Sequence, residues 1–216
     1  MSEQSVSTAV SPKGPRLPRV VRRAQLLDAA RTVFVANGYH AAAMDDIAEE
    51  AGVSKPVLYQ HFPGKQELYL ALLDEHAATL VAHVREALGA TNENKQRVAA
   101  GIAAYFSFVD QDSESFRLVF ESDLTNVAAV RARVERTTEE CAEAIGAVIG
   151  EDTGLPPDEA RLLAVGLVGM AQVSARYWLA AGRTLPREAA AGLVAGLAWR
   201  GIGGYPLTAE HDSPTA

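Results

Sequence analysis

Residues 44–62, which read MDDIAEEAGVSKPVLYQHF, carry the strongest structural signal in this chain of 216 residues. Ile47 and Ala51 lie four residues apart and share one side of a predicted helix. Gly52 permits a tight turn, and Ser54 is a residue type that favours the start of a helix. The stretch therefore predicts two short helices joined by a turn of three to four residues, which is a helix-turn-helix.

The second of these helices has a buried side and several side chains left for other faces. Leu58 and Phe62 lie four residues apart, so both point towards a core. Pro56 falls in the first turn, where a missing backbone N–H costs nothing. The side chains left for other faces are those of Lys55, Val57, Tyr59, Gln60 and His61.

The composition predicts a soluble, all-α protein. Hydrophobic residues make up 48% of the chain and charged residues 22%, which is ordinary for a globular protein. Aromatic residues are scarce and alanine is abundant, which favours helix over sheet. The single cysteine, Cys141, fits a reducing compartment. Because no secretory signal and no long uncharged apolar run is found, we expect a cytoplasmic protein with no membrane partner.

Charge is distributed unevenly along the chain, whose net charge is −7. Residues 1–70 hold eight Lys and Arg against seven Asp and Glu, a sum of +1, and the remainder holds twelve against twenty, a sum of −8. Residues 4–27 contain no acidic residue and five basic ones, namely Lys13, Arg16, Arg19, Arg22 and Arg23. A basic arm before an acidic body fits a nucleic-acid partner, and a solubilising tail is the alternative.

Four segments are expected along the chain. Residues 1–18 are rich in Ser, Pro and Gly and should form a disordered basic arm. Residues 19–64 should form a three-helix helix-turn-helix domain, whose first helix ends at Gly38. Residues 65–203 should form a helical effector-binding and dimerisation domain, and residues 204–216 a flexible tail. About nine helices are predicted in all, those after the third lying near 65–88, 94–110, 113–121, 124–149, 157–181 and 187–201.

The last two predicted helices carry many small residues. Glycine inside a helix costs up to about 1 kcal/mol relative to alanine, so a run of small residues indicates close helix approach. Packing of this pair against a second copy would form a dimer bundle, and ordinary packing within one chain is the alternative. The small residues are Gly166, Gly169, Ala171, Ala175, Ala189, Gly192, Ala195 and Gly196.

Three segments together resemble the TetR family of bacterial transcriptional regulators. They are FVANGY at 34–39, DIAEEAGVSK at 46–55 and LYQHFPGK at 58–65, and the resemblance covers about residues 20–70. It implies a homodimer that binds a double-stranded DNA operator of two related half-sites. It also implies a helical C-terminal domain that dimerises and binds a small effector. We expect no cofactor.

The resemblance also implies which residues contact DNA. Lys55, Pro56 and Val57 match positions that meet base edges. The chemistry agrees, because a lysine can donate to guanine O6 and N7 and apolar side chains can contact a thymine methyl. Tyr59 matches a position of base or phosphate contact. His61 and Lys65 match positions of phosphate contact. Further predicted DNA contacts are Ser54, Arg19, Arg22 and Arg23.

The start of the second helix departs from the family pattern. The family usually places threonines there, which cap the helix and hold phosphate, whereas this chain has Ala42 and Ala43. Loss of such a cap costs about 1 kcal/mol. Asp45 and Asp46 oppose phosphate binding at the same helix start. We therefore expect the arginines of the basic arm to carry more of the phosphate binding.

Aromatic residues in the second half predict a pocket for a mid-sized, largely apolar effector. The candidate lining residues lie in two stretches: Tyr105, Phe106, Phe116, Arg117 and Phe120 in the first, and Met170, Tyr177 and Trp178 in the second. Core packing is the alternative for each aromatic side chain. The second stretch could instead lie in a dimer interface.

Catalytic and metal-binding motifs are not found. The sequence lacks a Gly-rich phosphate loop, a nucleophile elbow and a zinc motif, so we expect neither an enzyme nor a metal site. Cys141 is expected to be a packed residue. The prediction is a sequence-specific regulator, a repressor released from a palindromic operator by a small molecule. An activator or effector-independent regulator is the first alternative, and a helical small-molecule carrier that does not bind DNA is the second.

Overall fold

The computed structural model describes residues 17–111, 124 and 127–201. Within these residues the regular structure consists of eight helices: α1 (Arg19–Ala41), α2 (Met44–Glu50), α3 (Lys55–His61), α4 (Lys65–Gly89), α5 (Asn94–Gln111), α6 (Ala128–Thr153), α7 (Pro157–Ala180) and α8 (Arg187–Arg200). The predicted all-α fold is confirmed. The predicted helix at 113–121, most of the arm and the tail lie outside the described residues.

The chain divides into two compact units, Met1–Leu68 and Tyr69–Ala216, with the division inside α4. The first unit contains the helix-turn-helix, and its core is built where α1, α2 and α3 meet. Leu26, Ile47 and Leu58 come one from each helix, and all three are fully buried. Gly52 forms the turn with a φ of +62°, a conformation that a residue with a side chain rarely adopts.

The end of α1 differs from the prediction. Gly38 has a φ of +73°, as expected of a terminating glycine, but a further helical turn follows it and ends at Ala41. Ala42 donates its backbone N–H to the Gly38 carbonyl at 3.1 Å. The ring of Tyr39 stacks on that of Phe34 with 5.8 Å between centroids. The sequence contains the stop signal but not the contacts that rebuild a turn beyond it.

The second unit is a bundle in which α6 packs against α7, while α5 packs against both α7 and α8. The predicted bounds of α6, 124–149, are each about four residues too early. Gly150, one residue beyond the predicted end, lies inside the helix, and a Cβ there would be 3.9 Å from Ala160 Cβ. The helix ends instead at Gly154, which has a φ of +71°. That distance is an ordinary contact, so a side chain of alanine size would fit at Gly150.

One helix, α7, is long and apolar enough to cross a membrane by length and composition, which the sequence analysis did not anticipate. Its apolar window has a mean hydropathy of 1.3, and 33% of that window is buried. Leu162, Val173 and Tyr177 on this helix are exposed by 74, 56 and 75%. A single helix of this kind is weak evidence for a membrane. The outward side of α7 therefore presents an apolar face.

Candidate nucleic-acid interface

The outer side of α3 presents the residues predicted to contact bases. Ser54, Lys55 and Pro56 are exposed at the start of the helix, and Val57 is half-buried. Tyr59, one turn further on, is 48% exposed although its ring is large and apolar. Ser54 does not cap the helix with its side chain, so its hydroxyl is not committed there. The structure thus places a polar and apolar mixture along one exposed helix.

Lys55 forms an ion pair within the helix-turn-helix. Its ammonium Nζ lies 2.5 Å from Oδ2 of Asp45, the second residue of α2. Both side chains are more than half exposed, at 61 and 57%. Exposed ion pairs of this kind add little to stability. The pair therefore brings the Lys55 ammonium to Asp45 without adding much to the stability of the unit.

Basic side chains from α1 lie close to the end of α3. The guanidinium of Arg23 lies 4.5 Å from the centroid of the Phe62 ring, the residue that follows α3. Partial burial lowers the pKa of His61, and the charges on Arg19, Arg23 and Arg22 lower it further. We call Arg19, Arg22, Arg23 and His61 the basic cluster. It brings together four of the residues predicted to contact DNA.

Gln25 is a residue whose role the sequence analysis missed. Its side-chain Nε2 donates to the carbonyl oxygen of Ala51 at 2.7 Å, across 26 residues of sequence. Ala51 ends α2, where backbone carbonyls lack partners within the helix. Gln25 also accepts a 2.7 Å hydrogen bond from Arg22. The side chain therefore ties α1 to the turn between α2 and α3, and only the tertiary structure reveals it.

The alanines at the start of α2 have a partial substitute for the missing hydroxyls. The backbone N–H of Ala43 donates to Oδ2 of Asp46 at 3.3 Å. An acidic residue three positions into a helix can serve the preceding backbone in this way, which is half of a capping box. The start of α2 has no side-chain cap, as expected from Ala42 and Ala43, and the Asp46 bond serves the backbone N–H of Ala43 instead.

Lys65, predicted to contact phosphate, is held by the protein's own backbone. Its ammonium lies 2.8, 3.1 and 2.8 Å from the carbonyl oxygens of Tyr39, His40 and Ala42. It also lies 4.7 Å from the centroid of the Tyr39 ring. An ammonium has three N–H donors, and these bonds occupy all of them. A phosphate contact by Lys65 would require at least one of these bonds to break.

The second unit contains two small recesses that share part of their lining. Their volumes are about 40 and 160 Å³. Both are lined by Leu88, Arg97, Val98, Ile145 and Leu167, and we call the combined space the effector cleft. Tyr105 and Cys141 line the smaller recess, and burial raises the pKa of the Cys141 thiol to about 11. The thiol is therefore protonated, as expected of a packed cysteine.

The predicted pocket residues do not all gather in one place. Tyr105 lines the effector cleft, and Met170 does not. A separate groove of about 410 Å³ runs between α7 and α8 and is lined in part by Phe106, Tyr177 and Trp178. The indole of Trp178 is buried and donates to the Leu185 carbonyl at 2.8 Å. The remaining candidates lie outside the described residues: Phe116, Arg117 and Phe120.

Replacing Lys65 with methionine should destabilise the first unit, because three backbone carbonyls lose their charged donor. We expect the free energy of unfolding to fall by about 1–3 kcal/mol in urea titrations. Lys95→Met, at an exposed lysine of α5, is the matched control and should unfold like the unaltered protein. An unchanged unfolding curve for Lys65→Met would contradict a positioning role for Lys65.

Known proteins share both the sequence pattern and this fold. The family model "Bacterial regulatory proteins, tetR family" matches residues 26–72. The HTH-type transcriptional activator FasR of Mycolicibacterium smegmatis is 50% identical over 196 residues, covering 91% of this chain and 90% of FasR.

Two crystal structures extend the comparison to three dimensions. A TetR-like regulator from Rhodococcus sp. RHA1 has a TM-score of 0.68 at 30% identity, covering 88% of this chain and 100% of that one. FadR of Bacillus subtilis, in complex with stearoyl-CoA, has a TM-score of 0.70 at 22% identity, covering 83% and 98%. The match to FasR spans nearly the whole of both chains. The chain therefore belongs to the TetR family of bacterial DNA-binding transcriptional regulators and is not an enzyme.

Proposed function

We propose that the chain is a cytoplasmic, dimeric regulator that reads an operator through α3 and responds to an effector with a long apolar chain. The observation that carries the DNA part is the exposed outer side of α3, where Lys55 and Tyr59 lie, together with the basic cluster at the end of that helix. The positive charge can bind phosphates. The exposed side chains of the helix can read base edges. The acidic remainder of the chain repels the DNA backbone and so limits contact with DNA at other surfaces.

The exposed apolar faces of α7 and α8 support a homodimer. Leu162, Val173 and Tyr177 on α7 and Trp199 on α8 are all between 47 and 75% exposed. A Cβ built at Gly166, Gly169 or Gly192 meets nothing within 4 Å, so packing within the described part of one chain does not account for these glycines. Close approach of a second copy does. This surface also accounts for the apolar character of α7 without a membrane.

Activation is the output that we favour. FasR, whose similarity spans both units of this chain, is named an activator. Binding to an operator is common to both signs of regulation, because the sign depends on where the operator lies relative to the promoter. Repression, the output predicted from the sequence, is retained as the alternative. The two share the same protein–DNA chemistry.

The effector cleft supports an apolar ligand in the second unit. Its shared lining is mainly aliphatic, with Arg97 as its charged member. FadR, which shares the fold, was crystallised with stearoyl-CoA. The two recesses are smaller than the roughly 300–1,000 Å³ of typical ligand sites, so an acyl chain must widen the cleft when it binds. A ligand that favours the widened state can couple to DNA binding, with a coupling free energy of about 1–3 kcal/mol.

DNA binding is tested with a duplex selected from a random library by the unaltered protein, labelled and followed by fluorescence anisotropy. We expect two chains to bind one palindromic duplex. A plot of the logarithm of the binding constant against the logarithm of the salt concentration should fall with a slope of about 0.9 per phosphate contact. Lys55→Ala should weaken binding to the selected duplex by about 1–3 kcal/mol and binding to a shuffled duplex less. Gln96→Ala, at an exposed α5 residue, is the control.

Three results would contradict this part of the proposal. Binding that does not change with salt would exclude the phosphate contacts. Equal losses on both duplexes would remove Lys55 from base readout. A protein that selects no duplex at all would favour the helical carrier instead.

Effector binding is tested by thermal denaturation with stearoyl-CoA, stearate and coenzyme A. Stearoyl-CoA should stabilise the native state by about 2.7 kcal/mol at a hundred times Kd, and coenzyme A alone should not. Gly101→Leu fills the smaller recess and should reduce that shift, whereas Ala103→Leu, exposed on the same helix, should preserve it. Equal shifts with coenzyme A alone, or an unaltered shift in Gly101→Leu, would place the ligand elsewhere.

A further inference from the structure

Asp45 lies where a carboxylate is least expected on a DNA-binding surface. It is the second residue of α2, in the first turn of that helix, and its side chain is 57% exposed. Negative charge favours the start of a helix, but Asp46 already serves that end by accepting from the Ala43 N–H. Asp45 suits that end of the helix as well, yet the hydrogen bond that it makes goes to another element.

The contact that Asp45 makes is with the recognition helix. Its Oδ2 lies 2.5 Å from Nζ of Lys55, the first residue of α3, ten positions later in sequence. A free lysine side chain samples many rotamers, and fixing its ammonium in one place reduces that freedom. An ammonium has three donors, so one bond to Asp45 leaves two for other acceptors. Guanine presents two acceptors, O6 and N7, in the major groove.

We propose that Asp45 is a specificity-determining residue, which aims Lys55 at a base edge and discourages it from binding phosphate. The carboxylate repels a phosphate that approaches the same ammonium, while neutral guanine acceptors bring no such repulsion. On nonspecific DNA, where Lys55 has only phosphates to bind, Asp45 weakens the contact. At a selected site it orders the lysine for base readout. This inference rests on the proposed DNA-binding function, and in particular on Lys55 in base readout.

The test compares the affinities of Asp45→Asn and the unaltered protein for two duplexes of equal composition. One is selected from a random library by the unaltered protein, and the other is its shuffled sequence. Asp45→Asn should bind the shuffled duplex tighter, by roughly two- to five-fold per chain, and the selected duplex no tighter. The ratio of the affinity for the selected duplex to the affinity for the shuffled duplex should therefore fall. The salt slope on the shuffled duplex should steepen by about 0.9 for each carboxylate removed.

Two controls separate this role from a general effect of charge. Asp28→Asn removes the same charge from the same unit, where Asp28 pairs with Arg31 at 2.7 Å, and should leave the ratio unchanged. In a Lys55→Met background, Asp45→Asn should change both affinities by one common factor, because the lysine that it aims is gone. Asp45→Ser, which keeps an oxygen near the helix start, should reproduce the result if Asp45→Asn folds poorly.

The outcomes distinguish the inference from the proposed function. If Asp45→Asn raises both affinities by the same factor, or Asp28→Asn lowers the ratio equally, Asp45 acts only through its charge and the inference is overturned. If the unaltered protein binds a selected duplex but the ratio does not move in Asp45→Asn, the inference alone fails. If the unaltered protein selects no duplex, the proposed function fails and the inference with it.

Discussion

The position of α3 depends on how the backbone ends of its neighbouring helices are satisfied. The last carbonyls of a helix have no partner within it, and leaving them buried without one is costly. Here the Lys65 ammonium binds three carbonyls after the break in α1, and Gln25 binds the carbonyl at the end of α2. Both side chains come from outside the helix that they serve. Gln25 joins α1 to the end of α2, and Lys65 joins the start of α4 to the end of α1.

The apolar core then sets which side of α3 remains outside. Leu58 is fully buried and Phe62 nearly so, which leaves Lys55 and Tyr59 on the exposed side. Arg23 covers the Phe62 ring and carries its positive charge to the end of the same helix. One packing arrangement therefore produces both the exposed helix that we propose reads DNA and the basic cluster beside it. The Asp45 carboxylate restricts this surface, because it is the partner of the exposed Lys55.

Much of this arrangement could be predicted from sequence because it depends on local signals. The turn glycine Gly52 and the four-residue spacing of Leu58 and Phe62 act within a few residues, and the structure agrees with them. The further turn after Gly38 was missed because the Lys65 bonds to its carbonyls come from 23 to 26 residues away. The course of α6 through Gly150 was missed because a glycine can lie inside a helix as well as end one.

Side-chain partners were harder to foresee than helices. The hydrogen-bond partners lie up to 26 residues away for Gln25 and Lys65, and ten residues away for Asp45. Nothing in the sequence pattern distinguishes such residues from solvated ones. The aromatic residues of the second unit share this difficulty, because periodicity gives each a helix face but not the neighbour that the face meets. Tyr105 therefore lines the effector cleft while Phe106, its neighbour in sequence, lines the groove between α7 and α8.

The central claim is that α3 and the basic cluster form the DNA surface, while the exposed face of α7 serves another purpose. Hydroxyl-radical footprinting with mass spectrometry tests it directly, because exposed tyrosines mark both surfaces: Tyr59 is 48% exposed on α3 and Tyr177 75% exposed on α7. Adding the selected duplex should protect Tyr59 from oxidation and leave Tyr177 unchanged. An unchanged Tyr59, or protection of Tyr177 alone, would contradict the account.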